Sequence, residues 1–83
     1  MIEIFGKPQC PFCEKAKQLC EARRLAYTYK TLDVDYTKEE LLEAFPGART
    51  VPQIRVNGTA IGGYDELGTY LEETGYNGTG MTL

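Results

Sequence analysis

Met1-Ile2-Glu3-Ile4-Phe5-Gly6-Lys7-Pro8-Gln9-Cys10-Pro11-Phe12-Cys13 is the stretch whose reading decides the fold. Met1 to Phe5 is apolar-rich and β-prone, and Gly6, Lys7 and Pro8 end it. Pro11 suits the first position of a helix, where no backbone donor is needed. Beyond it Cys13, Ala16, Leu19 and Cys20 recur at helical spacing, with Glu14, Lys15, Lys17, Gln18 and Glu21 outside that stripe. The segment predicts a strand, a tight loop and an amphipathic helix, with a Cys-x-x-Cys pair at the junction.

Working outward, Tyr27 to Val34 is rich in β-branched and aromatic residues and predicts a second strand. Thr37-Lys38-Glu39-Glu40 is a capping box, with Tyr36 and Leu41 in the hydrophobic-staple positions. Leu41, Ala44 and Phe45 form the buried stripe of that second helix, and Pro46-Gly47 stops it. Pro52 to Val56, Asn57-Gly58 and Thr59 to Ile61 read as a hairpin with a two-residue turn, whose positive φ angles Asn-Gly supplies. A last helix carries Leu67, Tyr70, Leu71 and Thr74 on one face and ends at Gly75. Residues 1–75 form one domain on this reading, and the Gly/Thr-rich stretch 76–83 is expected to be a mobile tail. The order is β-α-β-α-β-β-α. Strands one and two, joined through a helix, should be parallel with a right-handed crossover. The closing hairpin completes a four-stranded mixed α/β sheet with helices on both faces.

Eighty-three residues allow a single domain with a thin core. The absence of histidine excludes a Ser-His-Asp triad, a Cys-His pair and histidine metal ligands. Three cysteines cannot close a four-thiolate zinc site within one chain. No metal site is expected, and the chemistry must come from thiols, carboxylates, amines or the backbone. A net charge of −3 with scattered basic residues argues against a nucleic-acid partner. No apolar run is long enough for a membrane span. An odd cysteine count without an apolar leader segment points to a reducing compartment, so a cytoplasmic setting is expected.

Cys10 falls at or just before the helix N-terminus, where free amides and the helix dipole favour a thiolate. Lys7 can add positive charge, raising the fraction of nucleophile at neutral pH. Cys13 lies one turn inside on the same face, at about 5–6 Å between Cβ atoms. A disulfide needs about 4 Å there, so a modest adjustment of the helix start closes it. Cys10 is then the exposed attacker and Cys13 the resolver. Cys20 lies on the buried stripe roughly 10 Å along the helix from Cys13, too far for a disulfide, and reads as a small core residue.

Three separated motifs, Cys10-Pro11-Phe12-Cys13, Thr50-Val51-Pro52-Gln53-Ile54 and Gly62-Gly63-Tyr64-Asp65, stand in an order that resembles the glutaredoxins of the thioredoxin superfamily. The likeness extends over most of the chain to about Thr74. It implies a thioredoxin-like fold and a cis peptide between Val51 and Pro52 facing the thiol pair. It also implies glutathione as co-substrate, with no tightly bound cofactor. Val51 would pair with the cysteine residue of glutathione, and the amides of Tyr64 and Asp65, after Gly62-Gly63, would hold its γ-glutamyl carboxylate. The Asp65 side chain would take the ammonium and Lys7 the glycyl carboxylate. Thr50 flanks the same groove, with Arg49 as a further cation beside it.

Two departures stand out. Phe12 replaces the tyrosine usual in dithiol members, keeping an aromatic wall. Arg55 stands where an apolar strand residue is usual, which leaves either a partly open face or a snorkelling side chain. The implied activity is reduction of protein disulfides and glutathione-mixed disulfides by a monomer, with ribonucleotide reductase a family-typical target. The alternatives are a dimer holding a [2Fe–2S] centre through Cys10, which Pro11 disfavours by analogy, and a redoxin reduced by thioredoxin reductase.

Overall fold

A computed structural model describes residues 1–75. The elements are β1 (Ile2–Gly6), α1 (Pro11–Ala22), β2 (Tyr27–Thr31), α2 (Lys38–Ala44), β3 (Gln53–Val56), β4 (Thr59–Gly62) and α3 (Tyr64–Thr74). This is the expected order, and the strands form one mixed sheet arranged β2-β1-β3-β4. β1 runs parallel to β2, as a helical crossover requires, and antiparallel to β3. β3 and β4 form the antiparallel hairpin, turning at Asn57 (φ 52°) and Gly58 (φ 85°). The architecture is thioredoxin-like, as expected. The stretch 76–83, read above as a tail, lies outside the described residues.

Strand alternation divides the interior into two layers. Ile2 and Ile4 of β1, with Ile54 and Val56 of β3, pack beneath Ala16 and Cys20 of α1 and Leu67 and Leu71 of α3. On the opposite face Phe5 meets Tyr36, Leu41 and Phe45 around α2. Phe5 makes edge-to-face contacts with Tyr36 and Phe45, ring centroids 5.2 and 5.3 Å apart. Such pairs contribute about 0.5–1.5 kcal/mol each beyond area burial. The capping box forms as read: the Glu40 amide donates to Thr37 Oγ1, and the Thr37 amide to Glu40 Oε1. The buried Tyr36 hydroxyl donates to the Gly6 carbonyl at 2.7 Å, tying the start of α2 to the end of β1.

Arg55, half-buried on this face, shares a surface depression with Phe5, Tyr36 and the α2 residues Glu40 and Ala44, and finds its partner in Glu3. Arg55 Nε and Nη2 donate to the two Glu3 carboxylate oxygens at 2.6 and 3.0 Å. Lys30 reaches the same carboxylate at 3.3 Å. Both cations also lie over the Phe5 ring. Glu3 and Arg55 are direct register partners across β1 and β3. The Arg55 guanidinium, assisted by Lys30 against a partial burial penalty, holds the Glu3 carboxyl below its ordinary value of 4.5.

One boundary is corrected. The second strand ends at Thr31 rather than Val34. The Asp35 carboxylate accepts the Thr31 amide at 2.8 Å, and the Asp33 amide donates to the Tyr36 carbonyl. These local bonds compete with the ladder and turn the chain, with Asp33 at φ 63°. Val34 is left 78% exposed.

Candidate active site

The central strand β1 ends at Gly6 and delivers the loop Lys7-Pro8-Gln9 to the start of α1. Gln9 takes φ 57°, which reverses the chain before the helix. Cys10 is the N-cap, extended at φ −115°, and Pro11 opens the helix. Cys10 and Cys13 are joined as a disulfide, their Cα atoms 5.2 Å apart. The Cys13 amide donates to Cys10 Sγ at 3.2 Å. That donor belongs to the first turn, whose amides lack carbonyl partners within the helix. A thiolate at Cys10 would meet the same amide and the positive end of the helix dipole.

The expectation of an exposed Cys10 needs correction. Cys10 is 7% exposed and Cys13 fully buried. The loop bearing Val51 lies against the first cysteine, with the Val51 carbonyl 3.8 Å from Cys10 Sγ. Cys10 remains the more accessible of the two. Cys20 is the free cysteine among the described residues, fully buried in the main cluster, and burial pushes its thiol up to about 11.

The Val51–Pro52 peptide is cis, as the resemblance implies. Lys7, Arg49, Thr50 and Val51 line one groove, connected to the disulfide through Val51, whose carbonyl faces Cys10 Sγ. Phe12, next to the disulfide in sequence, is 53% exposed and leans toward Tyr64, ring centroids 6.1 Å apart. Lys15 sits over the Phe12 ring at 4.9 Å. Gly63 caps α3 and packs close to the Pro52 loop: a side-chain carbon there would lie 3.4 Å from the Pro52 carbonyl. Pro52, Gly63 and Tyr64 therefore meet at one junction. Asp65, in the first turn of α3, does not join the Lys7 groove; it lines a separate acidic depression with Glu66 and Glu73.

Sequence reasoning missed Glu66. Its carboxylate accepts the Gly63 amide at 2.8 Å, pinning the Gly62-Gly63 bend. The signal was present, since a glutamate three residues after an N-cap is half of a capping box. It also missed Tyr29, whose hydroxyl donates to the Lys7 carbonyl at 3.4 Å. Nothing in the strand pattern marks that contact.

A thiol pair at a helix start, set against a cis-proline loop at the end of a central parallel strand, defines a thiol-disulfide oxidoreductase of the thioredoxin superfamily. A family model described as Glutaredoxin matches residues 2–61. The chain belongs to the glutaredoxin family. It is 45% identical over 70 residues to the hybrid peroxiredoxin hyPrx5 of Haemophilus influenzae, covering 84% of this chain but only 29% of that longer protein. The solved structure of reduced Escherichia coli glutaredoxin superposes with a TM-score of 0.75 at 35% identity, covering 87% of this chain and 93% of that one. A buckwheat glutaredoxin-glutathione complex is similar at 28% identity and a TM-score of 0.65, over 89% of this chain and 69% of that one.

Proposed function

We propose that this chain is a glutathione-dependent oxidoreductase acting on protein disulfides and glutathione-mixed disulfides. The observation that carries the reading is that Cys10 lies against the carbonyl of Val51, which itself lines the groove of Lys7 and Thr50, while Phe12, two residues on from Cys10, leans toward Tyr64 at the start of α3. Glutathione laid across Val51 as a short strand would send its glycyl carboxylate toward Lys7, Arg49 and Thr50. Its γ-glutamyl end would run past Pro52 and Gly63 to the first amides of α3, at Tyr64 and Asp65, with the Asp65 carboxylate taking the ammonium. A glutathione complex of a structural relative supports this occupant.

The chemistry follows from the two thiols. Cys10 thiolate attacks the glutathione sulfur of a mixed disulfide, the S–S bond breaks, and the other thiol departs with a proton from solvent. The thiolate of a second glutathione then attacks the sulfur of the first, the bond to Cys10 Sγ breaks, and oxidised glutathione and the free Cys10 thiolate are left. With a protein disulfide, Cys10 forms the mixed disulfide and Cys13 displaces the substrate thiol. Two glutathiones reduce the resulting Cys10–Cys13 bond. Glutathione acts here as co-substrate, with no tightly bound cofactor, and the protein acts as a monomer in the cytoplasm. Ribonucleotide reductase is the protein acceptor to try first.

Cys13→Ser should retain much of the deglutathionylation and lose protein-disulfide reduction, whereas Cys10→Ser should lose both. Treating Cys13→Ser with oxidised glutathione should give one adduct, on Cys10, by mass spectrometry. Appreciable turnover by Cys10→Ser, or activity only with thioredoxin reductase as electron source, would overturn the reading.

A further inference from the structure

The groove beside Cys10 extends well past the residues that glutathione needs. It continues from Lys7 and Thr50 along α2 to Lys38 and Leu42, and encloses about 530 Å³. That size belongs with whole small-ligand clefts of about 300–1,000 Å³. Lys38 and Leu42 are four residues apart, which stacks them on one face of the helix. Leu42 is 39% exposed, an apolar side chain left open at the groove.

Its charge opposes that of the molecule. The chain carries a net charge of −3, yet the lining holds Lys7, Lys38 and Arg49 and no carboxylate. Among the described residues none of these three cations makes an ion pair; the acidic partners go instead to Lys17, Lys30 and Arg55. The first turn of a helix favours carboxylates over cations, so Lys38 does not owe its place to stabilising α2. Three uncompensated cations and the exposed Leu42, in a groove whose Val51 also lies against Cys10, match a chain segment that carries carboxylates next to an apolar side chain.

We propose that this groove selects polypeptide substrates, taking the stretch next to the reacting cysteine when that stretch is acidic and carries an apolar residue. The proposal rests on the reading of Cys10 as the attacking thiolate and names the substrate class of that same site. In the step it serves, Cys10 thiolate attacks one sulfur of the substrate disulfide, and the other substrate sulfur leaves and takes a proton from water. Cys13 then attacks Cys10 Sγ and releases the first substrate sulfur as thiol. The substrate gains two electrons, the Cys10–Cys13 pair loses two, and added glutathione restores the dithiol.

The test compares two synthetic peptides, each closed by one internal disulfide. They differ only in whether glutamates or lysines flank one cysteine beside a leucine. The wild-type protein should reduce the acidic peptide with a kcat/KM about 5-fold or more above the basic one at low salt. The preference should shrink toward unity as salt rises. Lys38→Glu should lose about 5-fold on the acidic peptide. It should leave unchanged the turnover of a glutathione-mixed disulfide of a small thiol, as should Leu42→Ser, which lowers kcat/KM on both peptides alone. Equal rates for the two peptides, or equal losses on all three substrates in Lys38→Glu, would overturn the proposal. Failure to reduce either peptide while the small mixed disulfide turns over would overturn it as well and leave Cys10 as the attacking thiol. Loss of all turnover in the wild-type protein would remove both.

Discussion

Cys20 should behave as a thiol that exists chemically only when the protein unfolds. It sits fully buried between Ile2, Ile4 and α3, and burial lifts its thiol from 9.0 to about 11. Near neutral pH that shift alone lowers its thiolate fraction about 100-fold, since each unit is a factor of ten. Alkylation through global opening is slower still. A small domain is stable by about 5–15 kcal/mol, so even at the low end roughly one molecule in 10⁴ is unfolded. The assay is to reduce the protein fully, add iodoacetamide at about pH 8, and follow the adducts by peptide mass spectrometry. Cys10 should react first. Cys13 should follow as the first turn of α1 opens locally, which leaves the main core intact. Cys20 should be modified only at urea concentrations that unfold the chain, with the same denaturant dependence as the circular dichroism. Native-state alkylation of Cys20 within tenfold of a free cysteine would refute the packing argument.

Tyr36→Phe removes the donor to the Gly6 carbonyl, which keeps the Leu32 amide at 2.9 Å. The loss should be about 1 kcal/mol, read as a fall in Tm of about 4–8 °C. Gly6→Ala places a methyl 3.0 Å from Cys13 Sγ and against the Tyr29 ring. It should destabilise by about 1–3 kcal/mol in urea, and an unchanged midpoint would show that this junction is loose. Glu3 has a folded-state pKa below 4.5 because of Arg55, so its contribution is present above pH 4.5 and is lost as pH falls through the folded value. Acid titrations of wild type and Glu3→Gln should therefore converge below pH 4.5, and parallel curves throughout would contradict the pairing. Thr37→Ala breaks the capping box and should destabilise the fold by about 1 kcal/mol in thermal melts.

Local signals carried most of the fold. Pro11 at the helix start, Thr37 with Glu40, Asn57-Gly58 and Gly75 each act within a few residues of themselves, so they could be read from the chain. Val34 escaped because Asp35 competes for the Thr31 amide, a contest between two weak local preferences. Arg55 could not be placed from the strand pattern alone, because its partner Glu3 becomes its neighbour only through the register of β1 and β3. At the site, Cys10 and Cys13 were legible from spacing and position. The covering of Cys10 was not, since the Val51 loop reaches it from 41 residues away. The groove continuing to Lys38 and Leu42 has the same origin: it exists only once α2 is laid beside the Lys7 loop.

The Cys10–Cys13 bridge joins residues only three apart. A cross-link this short removes about 2 kcal/mol of loop entropy from the unfolded chain, against nearly 5 for a loop of 100 residues. Closing the bridge therefore favours the folded molecule by about 2 kcal/mol, roughly thirtyfold in the folded-to-unfolded ratio. By reciprocity, the folded scaffold favours the disulfide over the dithiol through this route by the same amount. The bridge is thus coupled to the architecture that carries it, though less strongly than a cross-link between distant residues would be. Each reduction lowers the stability of the fold by a bounded amount, within the ~5–15 kcal/mol of a small domain, so the protein can be charged and discharged with electrons while it stays folded.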